Sequence, residues 1–190
     1  MKRHRHGLPL CLLSWLLLAS LWLLPAVGRA QSERVAAEHQ VKAAYLYKFL
    51  GFVEWPPRAF ENAQSPFVIG VVGADDLADE LARVVDQRQV NGRPAVTRRL
   101  RTGDSLSGLH MLFIGQSVGA RTASLVTRAH NAAVLTVTES DDAFAAGSAI
   151  NFVLVDNKVR FDVALSGVDL GELKISSRLL GVARRVKGAS

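Results

Sequence analysis

Two short apolar runs, Phe67-Val-Ile-Gly-Val-Val-Gly73 and His110-Met-Leu-Phe-Ile114, constrain this chain more than any other feature. A strand with one wet face alternates apolar and polar residues, whereas a run that is apolar throughout is dry on both faces, as in a parallel sheet covered by helices. The intervening segments supply such helices. Between Ser32 and Phe52 the residues Val35, Val41, Tyr45, Phe49 and Phe52 recur at helical spacing. That helix must end by Trp55-Pro56-Pro57, because proline removes a donor and forces its predecessor out of helical geometry. A second helix is predicted from Asp76 to Val85, with acids in its first turn, and a third from Val118 to His130. Asn91-Gly92 marks a turn, and Ala95 to Leu100 and Ala133 to Thr138 read as further strands. Ser140 to Gly147 reads as a helical turn. Ala149 to Val155 and Val159 to Leu165 are two more strands, joined as a hairpin through Asp156-Asn157-Lys158. The tail from Val168 to Val186 is expected to be helical, with a break near Gly171 to Ser176. This order of elements predicts an α/β fold: a three-layer αβα sandwich whose mainly parallel central sheet ends in an antiparallel hairpin.

The N-terminus is of a different kind. Lys2, Arg3 and Arg5 precede an apolar stretch from Leu8 to Val27, followed by Gly28-Arg29-Ala30, the three parts of a secretory signal. The expected division is therefore a signal peptide over 1–30 and one domain over 31–190, acting outside the cytoplasm. An uncleaved membrane anchor is the alternative, since the stretch approaches the ~20 residues that span a bilayer; Pro25 near its end favours cleavage. Removing Lys2, Arg3, Arg5 and Arg29 takes four of the 23 basic residues and no acid, leaving 19 against 17, or +2 in place of +6. A nucleic-acid partner is then not expected on charge. The single cysteine, Cys11, leaves as well, so the roughly 160 residues that remain must rest on an apolar core without disulfides.

Few motifs point to chemistry. Gly115-Gln116-Ser117-Val118-Gly119 fits the G-x-S-x-G pattern at a strand-to-helix turn. However, the later histidine, His130, has no Asp or Glu between it and Ser117, so Ser117 is expected to cap a helix instead of attacking a substrate. Gly70 and Gly73 match no phosphate-loop spacing. His39, His110 and His130 are scattered, so neither a metal nor a cofactor is expected. Arg88, Arg93, Arg98, Arg99 and Arg101 crowd the second strand, where they could meet an acidic partner or anionic lipid head groups, or protect a solvated edge from pairing by their charge. Arg178, Arg184, Arg185 and Lys187 would complement the dipole of a C-terminal helix. A ligand pocket, if there is one, belongs at the carboxyl ends of the parallel strands, near Gly73, Asp75, Gly115 and Ser117.

Several segments together carry a resemblance: Val41-Lys-Ala-Ala-Tyr45-Leu-Tyr-Lys-Phe49 with Phe52-Val-Glu-Trp55-Pro56, the apolar runs at 67–73 and 110–114, Val134-Leu-Thr-Val137, Ile150-Asn-Phe152, and Leu173-Lys174-Ile-Ser176-Ser177-Arg-Leu-Leu180. In this order, from about residue 38 to 186, they resemble the YfiR family, or DUF4154 domain. The resemblance implies a non-enzymatic periplasmic αβα domain that often self-associates, so a homodimer is one expectation. It also implies repression of an inner-membrane diguanylate cyclase, a GGDEF protein, through that enzyme's periplasmic region, with release by envelope stress or an outer-membrane lipoprotein raising cyclic di-GMP and favouring biofilm. The expected contact surface includes Lys174, Ile175, Ser176, Ser177 and Arg178, although Ser176 or Ser177 as a cap and Ile175, Leu179 and Leu180 as core serve equally well. Tyr45, Phe49, Phe52 and Trp55 are expected in the core or at a dimer seam. Leu109 stands before His110 where many relatives carry Cys, so control by disulfide state is not carried over. A periplasmic small-ligand sensor is the second reading.

Overall fold

The computed structural model describes residues 25–170 and 173–188; most of the signal peptide expected over 1–30 lies outside them. The chain divides into Met1–Ala37 and Glu38–Ser190. The described part of the first unit is the opening of helix α1 (Pro25–Phe49), on which the side chains of 31–37 are exposed. No helix among the described residues is long and apolar enough to cross a membrane.

Within the second unit α1 buries Lys42, Ala43, Leu46 and Phe49, and Leu50 just after it is buried too. This stripe of three- and four-residue steps replaces the one read from the sequence, since Val35 and Val41 face solvent. The helix is followed by β1 (Val53–Glu54) and a 3-10 turn at Pro57–Ala59, then β2 (Phe67–Val72), α2 (Asp75–Val85), β3 (Gln89–Val90) and β4 (Arg93–Leu100). Next come β5 (Met111–Ile114), a 3-10 segment at Gln116–Arg121, α3 (Thr122–Asn131), β6 (Leu135–Thr138), α4 (Asp141–Ala145), β7 (Ile150–Val155) and β8 (Lys158–Ala164). The chain closes with α5 (Leu165–Leu170), β9 (Lys174–Ile175), α6 (Ser177–Val182) and β10 (Arg185–Lys187).

The main sheet has the order β10-β8-β7-β6-β5-β2-β4-β3. Strands β4, β2, β5, β6 and β7 run parallel, while β3 and β8 pair antiparallel with β4 and β7. Asp156 and Asn157, both at positive φ, make the β7–β8 turn, and Asn91 with Gly92 does the same for β3–β4. The period of two in β5 sorts its side chains between two cores. Met111 and Phe113 join α1 and α2. Leu112 and Ile114 join Leu125, Val126 and Ala129 of α3. The αβα layering expected from the sequence is what forms.

Three expectations fail. The third helix does not start at Val118: Gly119 at φ 58° and ψ −133° breaks the path, so a 3-10 segment precedes α3. The tail is not one helix. Ala183 is extended and Arg184 donates its N–H to the Phe161 carbonyl, which turns the last residues into strand β10 beside β8. Arg184 and Arg185 therefore serve a carboxylate, described below, and not a helix dipole. The short strands β1 and β9 pair antiparallel, Val53 with Ile175 and Glu54 with Lys174.

Candidate functional site

In an open α/β sheet the crevice for a ligand opens where successive connections leave one strand in opposite directions. Here that strand is β2, flanked by β4 and β5. Gly73, at φ 70°, ends β2 in a conformation that disfavours a side chain, and a Cβ there would also meet the Ser117 hydroxyl at 2.6 Å. A Cβ on Gly115 would overlap the Gly73 carbonyl. The two loops thus touch backbone to backbone, and Ser117 Oγ donates to the Gly73 carbonyl at 2.8 Å. The switch point between β2 and β5 is shut.

The cleft is displaced to the β2–β4 side, with a volume of about 770 Å³. Gly73, Asp75 and Ser117 line it with Arg99, Arg101, Asp104 and Arg121, whereas Gly115 is buried under the closed contact. Ser117 caps no helix, because the 3-10 segment starts from Gly115 without a side-chain cap. Its hydroxyl also has no histidine: His130 Nε2 bonds the Gly147 carbonyl at 3.0 Å, and His110 sits at the other end of β5. Ser117→Ala should lower stability by about 1 kcal/mol, the worth of one hydrogen bond, measured by urea unfolding. A far larger loss would assign Ser117 a role beyond holding the two loops.

A second polar region lies at the ends of β6 and β7. Lys42, buried on α1, binds Glu38 and also Glu139, the latter at 2.5 Å. Burial alone would lower the Lys42 pKa, but the two carboxylates outweigh it, Glu139 more than Glu38, and hold it above the usual lysine value. Glu139 also accepts from the Gln116 N–H at 3.1 Å, which ties α1 to the loops after β5 and β6. Along β8, Asp162 is fully buried. It accepts from Arg184 at 2.8 and 2.5 Å and from Arg185 at 2.8 Å. Burial alone would raise its carboxyl, yet the two arginines outweigh that and hold it below the usual carboxylate range.

The C-terminal stretch singled out in the sequence is built as follows. Lys174, Ser177 and Arg178 are exposed, while Ile175 packs on the core from β9. Ser176 caps α6 by accepting from the Leu179 N–H, and its own N–H donates to the Phe52 carbonyl at 2.9 Å. Leu179 is buried. The stretch is thereby fastened to the Trp-Pro segment, which has an anchor of its own: Trp55 Nε1 donates to the His110 carbonyl at 3.0 Å. Tyr45 and Phe49 stack, and both meet Phe152 and Phe161, so these aromatics form core. His110 belongs to the core. It is 2% exposed, its Nδ1 accepts from the Val68 N–H at 3.1 Å, and Phe60, Phe67 and Trp55 surround the ring.

The basic group around β4 is mostly committed. Arg93 donates to the Asn62 and Ser65 carbonyls and lies 4.0 Å over the Phe60 ring, Arg98 reaches the Ser107 carbonyl at 3.0 Å, and Arg99 pairs with Asp79. Among the described residues no group of three or more His, Cys, Asp or Glu is placed to hold a metal ion.

The family described as YfiR/HmsC-like, DUF4154, matches residues 39–184. No curated protein matches the chain significantly. Among solved structures it is similar to a conserved domain protein from Vibrio cholerae O1 biovar eltor strain N16961, with 12% identity, TM-score 0.49, and coverage of 63% of this chain and 54% of that one. It is also similar to an ABC domain in complex with L-Trp from Streptococcus pneumonia, with 9% identity, TM-score 0.47, and coverage of 63% and 55%. The chain spans about half the length of these two solved chains.

Proposed function

Since the chain belongs to the YfiR/HmsC-like family, we propose that it is a non-enzymatic regulator working in the periplasm, which represses an inner-membrane diguanylate cyclase by binding that enzyme's periplasmic region. The match across 39–184 carries this reading. A repressor of this kind needs no catalytic group. It must bind one state of its partner better than the other, and it shifts the partner's equilibrium by no more than that difference. The surface offered for the contact is Lys174, Ser177 and Arg178, exposed on β9 and α6 and backed by Ile175 and Leu179. Release by an outer-membrane lipoprotein and self-association into a homodimer belong to the same proposal.

The test is genetic and then biochemical. Deleting the gene should raise cellular cyclic di-GMP, and unchanged levels across several growth conditions would overturn the repressor role. Lys174→Glu with Arg178→Glu reverses two exposed charges that the fold does not use, so the melting temperature should hold while cyclic di-GMP rises toward the deletion level. If repression is intact in that variant, the contact lies elsewhere on the domain.

A further inference from the structure

We propose that the cleft between the carboxyl ends of β2 and β4 binds the phosphate or carboxylate head of a small anionic molecule, held by Arg101 and Arg121. Both arginines line the cleft, one on the loop after β4 and one at the end of the 3-10 segment after β5. Their guanidinium groups make no hydrogen bond or ion pair with a described residue. In the neighbouring cleft at the end of β7, Lys42 is paired with Glu38 and Glu139, and Arg184 and Arg185 share Asp162. On the rim of the arginine cleft itself, Arg99 is neutralised by Asp79.

The wall that carries Arg101 is a built loop. The Asp104 carboxylate accepts from the Arg101 N–H at 2.8 Å, and the Asp104 N–H donates to the Arg101 carbonyl at 3.0 Å. Arg128 reaches over from α3 to the Thr102 and Asp104 carbonyls at 2.9 and 2.6 Å. One Asp104 carboxylate oxygen is thus held inside the turn, and the base of Arg101 is fixed. The guanidinium fork suits two acceptor oxygens on one atom, the geometry of a carboxylate or a phosphate. At about 770 Å³ the cleft is of a size that takes a small metabolite, since ligand sites run to ~300–1,000 Å³. Asp75 and Asp104 also line the cleft and would repel an anionic head, so the head must meet the two guanidinium groups away from both carboxylates.

Calorimetry on the purified protein with inorganic phosphate and with succinate, at constant ionic strength, tests the proposal independently of any repressor activity. Saturable binding of at least one anion is expected, weakened at least tenfold in Arg101→Gln/Arg121→Gln and unaffected by Arg88→Gln, a surface arginine on the α2–β3 connection. Phosphate and succinate arms tell the two head groups apart. Asp75→Asn should tighten binding severalfold. Absence of saturable binding to either anion overturns the proposal, as does equal binding by the double variant with an unchanged melting temperature. An Asp75→Asn variant no tighter than the parent overturns the placement of the head.

Discussion

Replacing Arg184 and Arg185 together by glutamine should destabilise the domain by about 3 kcal/mol, or about 6–12 °C in melting temperature at this chain length. The cause lies in the residue left behind. Asp162 is fully buried on β8 and has both arginines as its hydrogen-bonding partners. Removing one side of a buried ion pair strands a charge in a poor dielectric, which commonly costs ~3–5 kcal/mol. The low end applies because the two arginine side chains are 40% and 50% exposed, so water replaces part of what they supply.

The pH dependence of that loss identifies its origin. In the parent the Asp162 carboxyl lies below its ordinary value of 3.8, so its stabilisation is present above that pH and is lost as pH falls through the folded value. In the double variant burial acts unopposed and raises the carboxyl. The variant then gains relative stability on acidification: its deficit should be greatest at neutral pH, narrow as pH falls through the variant's raised carboxyl value, and close only below the parent's depressed one. Adding Asp162→Asn to the double variant removes the stranded charge and should recover most of the loss at pH 7. Urea unfolding of the three proteins at pH 7 and pH 4 decides the matter. A triple variant no more stable than the double would mean that the arginines act through strand β10 alone.

Those arginines also mark where the sequence stopped being readable. β2 and β5 were legible because every position is apolar, a pattern only a strand dry on both faces needs. The β7–β8 hairpin was legible from Asp156-Asn157. By contrast, β10 is a three-residue strand exposed at each position, and it exists because Asp162, more than twenty positions upstream, holds Arg184 and Arg185. No local pattern records that pairing. β1 and β9 are two residues each, joined across the length of the domain. At the candidate site, Gly73, Asp75 and Ser117 were found from the rule that ligands sit at strand ends, and they do line a cleft. Gly115 was found by the same rule but lies in the contact that closes the switch point, because two glycines let two backbones meet where a crevice would open. Arg101 and Arg121 were missed as a pair, since only the fold brings the loop after β4 against the segment after β5. A partial signal did exist in Arg101, which stands in the basic run; Asp104 three residues on reads as its ion-pair partner, yet that carboxylate accepts from the Arg101 backbone N–H instead.

Acidification from pH 6.5 to about 4 should cost the domain about 3 kcal/mol through His110 alone. Burial pushes this imidazole down to about 4; the Ala59 carbonyl opposes that and Arg93 adds to it. Because Nδ1 accepts from the Val68 N–H, the neutral ring carries its proton on Nε2. A second proton must take Nδ1, breaking that bond and placing a charge among Phe60, Phe67 and Trp55. The unfolded chain, with His110 near 6.5, binds this proton first, so stability is complete above 6.5 and declines as pH falls to about 4. His110→Asn keeps an acceptor near the Val68 N–H but does not titrate. Its stability should fall far less over the same interval, whatever it loses at pH 7 from poorer packing. Equal slopes in the two proteins would remove His110 from the account. The loss also has a direction within the fold. The His110 carbonyl holds Trp55, Trp55 directly follows β1, and β1 pairs with the β9 strand of Lys174 and Ile175. Amide exchange at 174–178 should therefore quicken between pH 7 and pH 5 in the parent, beyond the intrinsic effect of pH, and less so in His110→Asn, which would make the proposed contact surface the first part of the domain to respond to acid.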